Sequence, residues 1–168
     1  MKKVAVCTGL NLYPNPANNL RGCVNDANDW ATYFRTKHGA IDTSVLLNAQ
    51  VKVAKASQFI IGKLNSCVSG DHFILTNSSH GSSVPDRSSD EIDGKDEVLC
   101  WYDAFVNDDL IRKVLDAAPA GVNITIISDS CHSGTVTRDF IPSGRTRVGY
   151  KRAKFITPDD PQFASMLS

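Results

Sequence analysis

The chain has 168 residues, 42% of them hydrophobic, which is enough to bury one core and too few to expect two independent ones. Its 18 basic and 18 acidic residues cancel, so no global field recruits nucleic acid or an anionic membrane, and any electrostatic selectivity has to be local. No apolar run approaches the about 18 residues of a membrane span, and the apolar stretch before Asn11 is too short for a secretory leader, so a cytoplasmic location is expected.

In chain order, Lys3 to Thr8 is an apolar run of strand length, followed by a loop rich in Asn and Pro. Val24, Ala27, Trp30, Ala31 and Phe34 recur at helical spacing between Val24 and Lys37, and Gly39 is placed to end that helix. Ser44 to Leu47 reads as a second strand. Val51 to Cys67 reads as a second helix, with Val53, Ala56, Phe59, Ile60 and Leu64 on one side, and the strand His72 to Asn77 follows. Gly81 to Glu97 is expected to be a polar, acidic loop, ahead of the short apolar stretch Val98 to Tyr102. Asn107 or Asp108 can cap a helix through Ala118, which Pro119 and Gly121 close. Asn123 to Ser128 is continuously apolar enough to predict a strand buried on both faces. The alternation predicts an α/β domain with a parallel sheet between helices, over residues 1–140. Residues 141–168 form a basic tail with weak strand signals around Val148 to Tyr150 and Lys154 to Ile156.

Chemistry gathers at the carboxyl ends of parallel strands, where loops splay apart. Two such ends carry reactive side chains: Asn77-Ser78-Ser79-His80-Gly81 and Asp129-Ser130-Cys131-His132-Ser133-Gly134. If the strands are neighbours, about 4.8 Å apart, His80 and Cys131 emerge side by side. A thiol beside an imidazole is a nucleophile with its base, and N–H groups near Gly81 and Cys131 could form an oxyanion hole. A lone cysteine is more often a buried structural thiol. Cys131 differs from Cys7, Cys23, Cys67 and Cys100 in standing in a turn of Ser, His and Gly. The five cysteines show no paired spacing, and their odd number leaves one outside any disulfide, as a reducing compartment allows. His132 is a competing base, but adjacent residues usually project in different directions, so it is expected to be an orienting or surface residue, and His38 and His72 are expected to be structural or solvated. Zinc is disfavoured for want of ligand spacing.

These two segments, together with Arg21-Gly22-Cys23-Val24-Asn25-Asp26-Ala27, resemble the metacaspases and their bacterial relatives in the caspase-like clan. The interval from His80 to Cys131 agrees with the roughly 50 residues of caspases, although the Q-A-C-x-G signature is absent. The resemblance implies a caspase-like three-layer sandwich with a mostly parallel central sheet flanked by helices. It also implies a cysteine endopeptidase that cuts protein or peptide substrates after Arg or Lys, with His80 and Cys131 as the dyad. Cys23, Asp26, Ser78 and Asp129 match the family's pocket for the residue before the scissile bond. Two carboxylates in one cleft repel unless a cation joins them, which favours guanidinium or ammonium.

The acidic loop resembles the region where several metacaspases bind activating Ca²⁺, with Asp93, Asp96, Asp108, Asp109 and Asp139 as candidate ligands. The basic stretch Arg145 to Lys154 lies where family members are cut between subunits, so self-cleavage is expected there. Two departures stand out. Ser79 occupies the place of a usual Gly, and little chain follows Cys131 to supply the smaller subunit, so a naturally short form, one piece of a processed enzyme, or a protein completed by a small-subunit-like or regulatory partner is expected. Two other readings stay open: an idle caspase-like module that binds a partner through an exposed sheet edge, and a flavodoxin-like domain holding an anion at helix N-termini.

Overall fold

β1 (Lys3–Gly9) is apolar from Val4 to Cys7 because it is covered on both faces. Val4 and Val6 pack with Leu10, Ile60, Leu64 and Phe73, whereas Ala5 and Cys7 pack with Ala27, Ala31, Phe34 and Ile74. The structure, a computed structural model, describes residues 1–40, 42–85 and 95–130. α1 (Cys23–Tyr33) continues into a wider turn, Phe34–His38, and stops at Gly39, whose φ of 72° is left-handed. β2 (Asp42–Leu47), α2 (Val53–Asn65) and β3 (His72–Ser78) follow. Then come β4 (His80–Pro85), β5 (Lys95–Cys100), β6 (Phe105–Asn107), α3 (Asp108–Asp116) and β7 (Asn123–Asp129).

The main sheet is parallel, in the order β2-β1-β3-β7. Ala27 and Ala31 of α1 seal one face, and Ala56, Ile60 and Leu64 of α2 seal the other, with Ile111 and Val114 of α3 beside them. Those are the three layers of an α/β sandwich. The helices meet the sheet closely. A Cβ on Gly9 would sit against the Cys23 carbonyl oxygen and 2.8 Å from the Ala27 Cβ, so only glycine lets the first turn of α1 rest on the end of β1.

Two expectations need correction. The stretch from Gly81 to Glu97 is not simply a loop: its ends form β4 and β5, which with β6 make an antiparallel three-stranded sheet. Gly81-Ser82-Ser83 has little intrinsic strand preference, and the pairing with Leu99, Val98 and Glu97 overrides it. Nor is β7 buried on both faces. It has only exposed and half-buried residues, and Ile126 is 36% exposed. Among the described residues β7 pairs with β3 alone. The tail, with its weak strand signals, lies outside the described residues.

Candidate active site

The register of the parallel sheet decides what meets at its carboxyl edge. Gly9 pairs with Ser78, and Ser78 pairs with Asp129, so β1, β3 and β7 end in one row. β3 therefore delivers His80 to the same edge at which β7 ends. Cys131 lies outside the described residues, but Ser130, directly before it, is described. Its Oγ is 3.1 Å from Asn77 Nδ2 and 3.4 Å from the Oγ of Ser79, the residue directly before His80.

His80 opens β4 opposite Cys100 and is only 2% exposed. Its Nε2 lies 2.7 Å from the Asn18 carbonyl oxygen. A carbonyl oxygen only accepts, so Nε2 carries the proton and Nδ1 is the basic nitrogen of the neutral ring. The backbone N–H of His80 donates to Tyr13 Oη at 3.0 Å, and that hydroxyl donates to the Cys100 carbonyl, also at 3.0 Å. The two rings lie against each other with centroids 5.2 Å apart. Burial pushes the Tyr13 phenol far above its ordinary pKa, so it stays neutral and keeps its proton to donate.

Neither Asn18 nor Tyr13 was singled out by sequence reasoning. Asn18 acts through its main chain, which leaves no mark in residue type. Tyr13 offered a faint signal as the one aromatic in a polar loop. The Asn-rich composition of that loop has a structural cause, because the carboxamides stand in for regular hydrogen bonding. Asn19 Oδ1 accepts from Tyr13 N, Asn48 Oδ1 accepts from Asn11 N and Leu12 N, and Asn15 Oδ1 accepts from Ala17 N. These bonds fix the short turn that aims the Asn18 carbonyl. Removing the bridging hydroxyl by Tyr13→Phe leaves the buried His80 N–H without its acceptor. It should destabilise the fold by about 1–3 kcal/mol, read from urea denaturation.

The expected pocket residues converge. Asp26, in the first turn of α1, accepts a hydrogen bond from Ser78 Oγ at 2.7 Å. Cys23 is fully buried at the head of the same helix, beneath Gly9. Asp129 is exposed and stands opposite Ser78 in the sheet register. Ser78, beside the loop of His80, thus has the Asp26 carboxylate on its hydroxyl and Asp129 across from it in the sheet register. Gly81 is buried in β4 opposite Leu99.

The remaining candidates lie elsewhere. His72 begins β3 at the far end of the sheet, where its Nε2 contacts Thr125 Oγ1 at 2.9 Å and its ring meets His38. Burial, then the neighbouring His38, holds the His72 pKa below its ordinary value, as befits a neutral structural histidine. Asp93, Asp139 and His132 lie outside the described residues. The pairing of Val98 with Asn107 brings the backbone of Asp96 to the same end of the small sheet as Asp108 and Asp109. Asp96 pairs with Val84, so that end lies four residues along β4 from His80, about 13 Å. Among the described residues no three His, Cys, Asp or Glu side chains are grouped to hold a metal ion.

Known proteins share this organisation. Protein GSU0716 from Geobacter sulfurreducens, a solved structure, superposes with a TM-score of 0.70 at 35% identity, over 81% of this chain and 53% of that one. Metacaspase-1 of Cryptococcus neoformans is 32% identical across 80% of this chain and 32% of its own length. Metacaspase-4 of Arabidopsis thaliana is 30% identical across 95% of this chain and 39% of its own. The chain therefore spans about a third of the length of the curated relatives it matches. Residues 2–139 match the metacaspase, peptidase C14 domain, and the chain belongs to that family.

Proposed function

We propose that this chain is the large-subunit-like part of a cysteine endopeptidase that cleaves after Arg or Lys. The observation that carries the reading is the contact between Ser130 and the Asn77–Ser79 turn, which joins the residues directly before Cys131 and His80. In the reaction, His80 Nδ1 takes the thiol proton, and the thiolate attacks the substrate carbonyl carbon. The backbone N–H groups of Gly81 and Cys131 hold the developing oxyanion. His80 returns the proton to the leaving amine, and the thioester forms as the peptide bond breaks. Water, deprotonated by the same imidazole, then hydrolyses the thioester. Asp26 and Asp129 receive the cationic side chain, with Ser78 and Cys23 shaping the floor.

Calcium activation belongs to the same proposal. Hard carboxylate oxygens suit Ca²⁺, and Asp96, Asp108 and Asp109, with Asp93 and Asp139, are the residues that would hold it, supplying charge that orders the loop rather than chemistry. Self-cleavage between Arg145 and Lys154 follows from the same pocket preference. Buried thiols at Cys7, Cys23, Cys67 and Cys100 accord with a reducing, cytoplasmic setting.

The edge of β7 away from β3, which no strand among the described residues pairs, favours a second reading, a module that binds a small-subunit-like partner by strand addition. Fluorogenic peptides ending in Arg, Lys or Asp, assayed with and without Ca²⁺, test both. Turnover of the Arg and Lys peptides is expected, rising with Ca²⁺. Turnover of the Asp peptide alone would overturn the pocket assignment. No turnover under either condition, from a chain whose Cys131 is unreactive, would leave the binding module.

A further inference from the structure

We propose that Asn77 is a positioning residue that locks the two catalytic turns together, with Ser79 and Ser130 as its arms, a role that rests on the peptidase reading. Asn77 is 4% exposed, on the last turn of β3 before His80. Four groups surround its carboxamide. Thr8 Oγ1 lies 3.0 Å and Trp101 Nε1 3.1 Å from Oδ1; Ser79 Oγ lies 2.9 Å and Ser130 Oγ 3.1 Å from Nδ2.

An indole N–H only donates, so the atom facing Trp101 has to be the amide oxygen. The amide nitrogen therefore faces both serines, and each of its two N–H groups has one hydroxyl to meet. A carboxamide has two donors and two acceptor sites: here both donors meet a serine, and the oxygen meets Trp101 Nε1–H and shares the Thr8 hydroxyl with the Thr76 carbonyl, 3.1 Å from Thr8 Oγ1. No other side chain of this size supplies both sets. Ser79 is wholly buried, and having received one bond from Asn77 it donates its own proton to the His80 carbonyl at 2.9 Å. Ser130 is joined to the same nitrogen, and its Oγ also lies 3.5 Å from Ser128 Oγ.

The geometry gives Ser79 a purpose. Where the resemblance leads one to expect Gly, this chain has a hydroxyl that ties the turn before His80 to the turn before Cys131, with Asn77 between them. Thr8 and Trp101 fix the carboxamide from β1 and from the segment after β5, so it cannot rotate to release either serine. A fully satisfied buried network of this kind specifies one arrangement and penalises its neighbours.

The test uses the full chain and iodoacetamide, a small alkylating agent that reads the nucleophile without any substrate. Alkylation of Cys131 is followed against pH, with Ca²⁺ present, and the signal from the other thiols is subtracted with the Cys131→Ala protein. A thiol paired with imidazole reacts with an inflection well below the about 8.5 of an isolated cysteine. Asn77→Leu and Asn77→Asp, which keep the branching at Cγ and remove the two donors, should move that inflection up towards the isolated value. They should also lower kcat about a hundredfold, with KM little changed, as expected when reacting groups are misplaced by about 1 Å. Ser130→Ala removes one arm at a half-buried position and covers the case in which the Asn77 variants fail to fold; it should shift both readouts in the same direction. Variants that fold and keep the wild-type inflection and kcat would overturn the positioning role. A wild-type Cys131 that itself reacts like an isolated thiol would overturn the peptidase reading first, and this role with it.

Discussion

His80→Asn should leave the chain folded and lower kcat/KM for Arg peptides by at least about 10²–10⁴-fold, the share that a positioned acid-base group contributes. The size follows from the way the ring is held. With Nε2–H bound to the Asn18 carbonyl at 2.7 Å, the imidazole has one tautomer available and offers only Nδ1 to a neighbouring thiol. The same carbonyl stabilises the imidazolium that forms when the thiol proton arrives, because its negative end faces the new charge. No carboxylate is needed for this task. Asparagine fits within the space of the ring but is too short to reach the Asn18 carbonyl, and it has no basic nitrogen to offer. Fold retention is checked by urea denaturation alongside the peptide assay. A folded His80→Asn protein that cleaves at the wild-type rate would place the base elsewhere, with His132 as the first candidate.

What the sequence disclosed and what it withheld divide along physical lines. β1, α1, α2 and β3 were legible because each buries a face whose period appears in residue type: 2 or continuous for strands, 3.6 for helices. The adjacency of β3 and β7 was a conjecture from motif logic, and the register of Ser78 with Asp129 bears it out. β4 was not legible, since Gly81, Ser82 and Ser83 acquire strand geometry only from partners some fifteen residues away in sequence. The apolar run of β7 suggested burial, yet burial depends on which neighbours a strand has, and composition does not record them. At the site, side chains with intrinsic chemistry were visible, namely His80, Asp26 and Ser78. The groups that hold them were not. Asn18 contributes a carbonyl that any residue could offer. Tyr13 and Asn77 matter through partners at remote positions, Cys100 and Trp101 among them.

Asp26→Asn should separate charge from shape in the pocket. The amide oxygen of asparagine can still accept the Ser78 hydroxyl bond that Asp26 accepts at 2.7 Å, so the wall of the pocket stays in place while one of its two charges disappears. Truncating one member of a hydrogen-bonded charge pair costs about 2–5 kcal/mol, so kcat/KM for an Arg peptide should fall by roughly thirtyfold to several thousandfold. The informative comparison is with a citrulline peptide, which copies the shape of arginine without its charge. The wild-type chain should prefer arginine strongly, and Asp26→Asn should bring the two peptides close together, chiefly by losing arginine turnover. Asp129 is exposed, where solvent screens its charge, so it should be the weaker of the two charges and should not restore the preference alone. The reverse ordering, in which Asp26→Asn keeps its preference for arginine and Asp129→Asn loses it, would move the recognition of the cation to the mouth of the cleft and leave Asp26 as a helix-end residue that holds Ser78 in place.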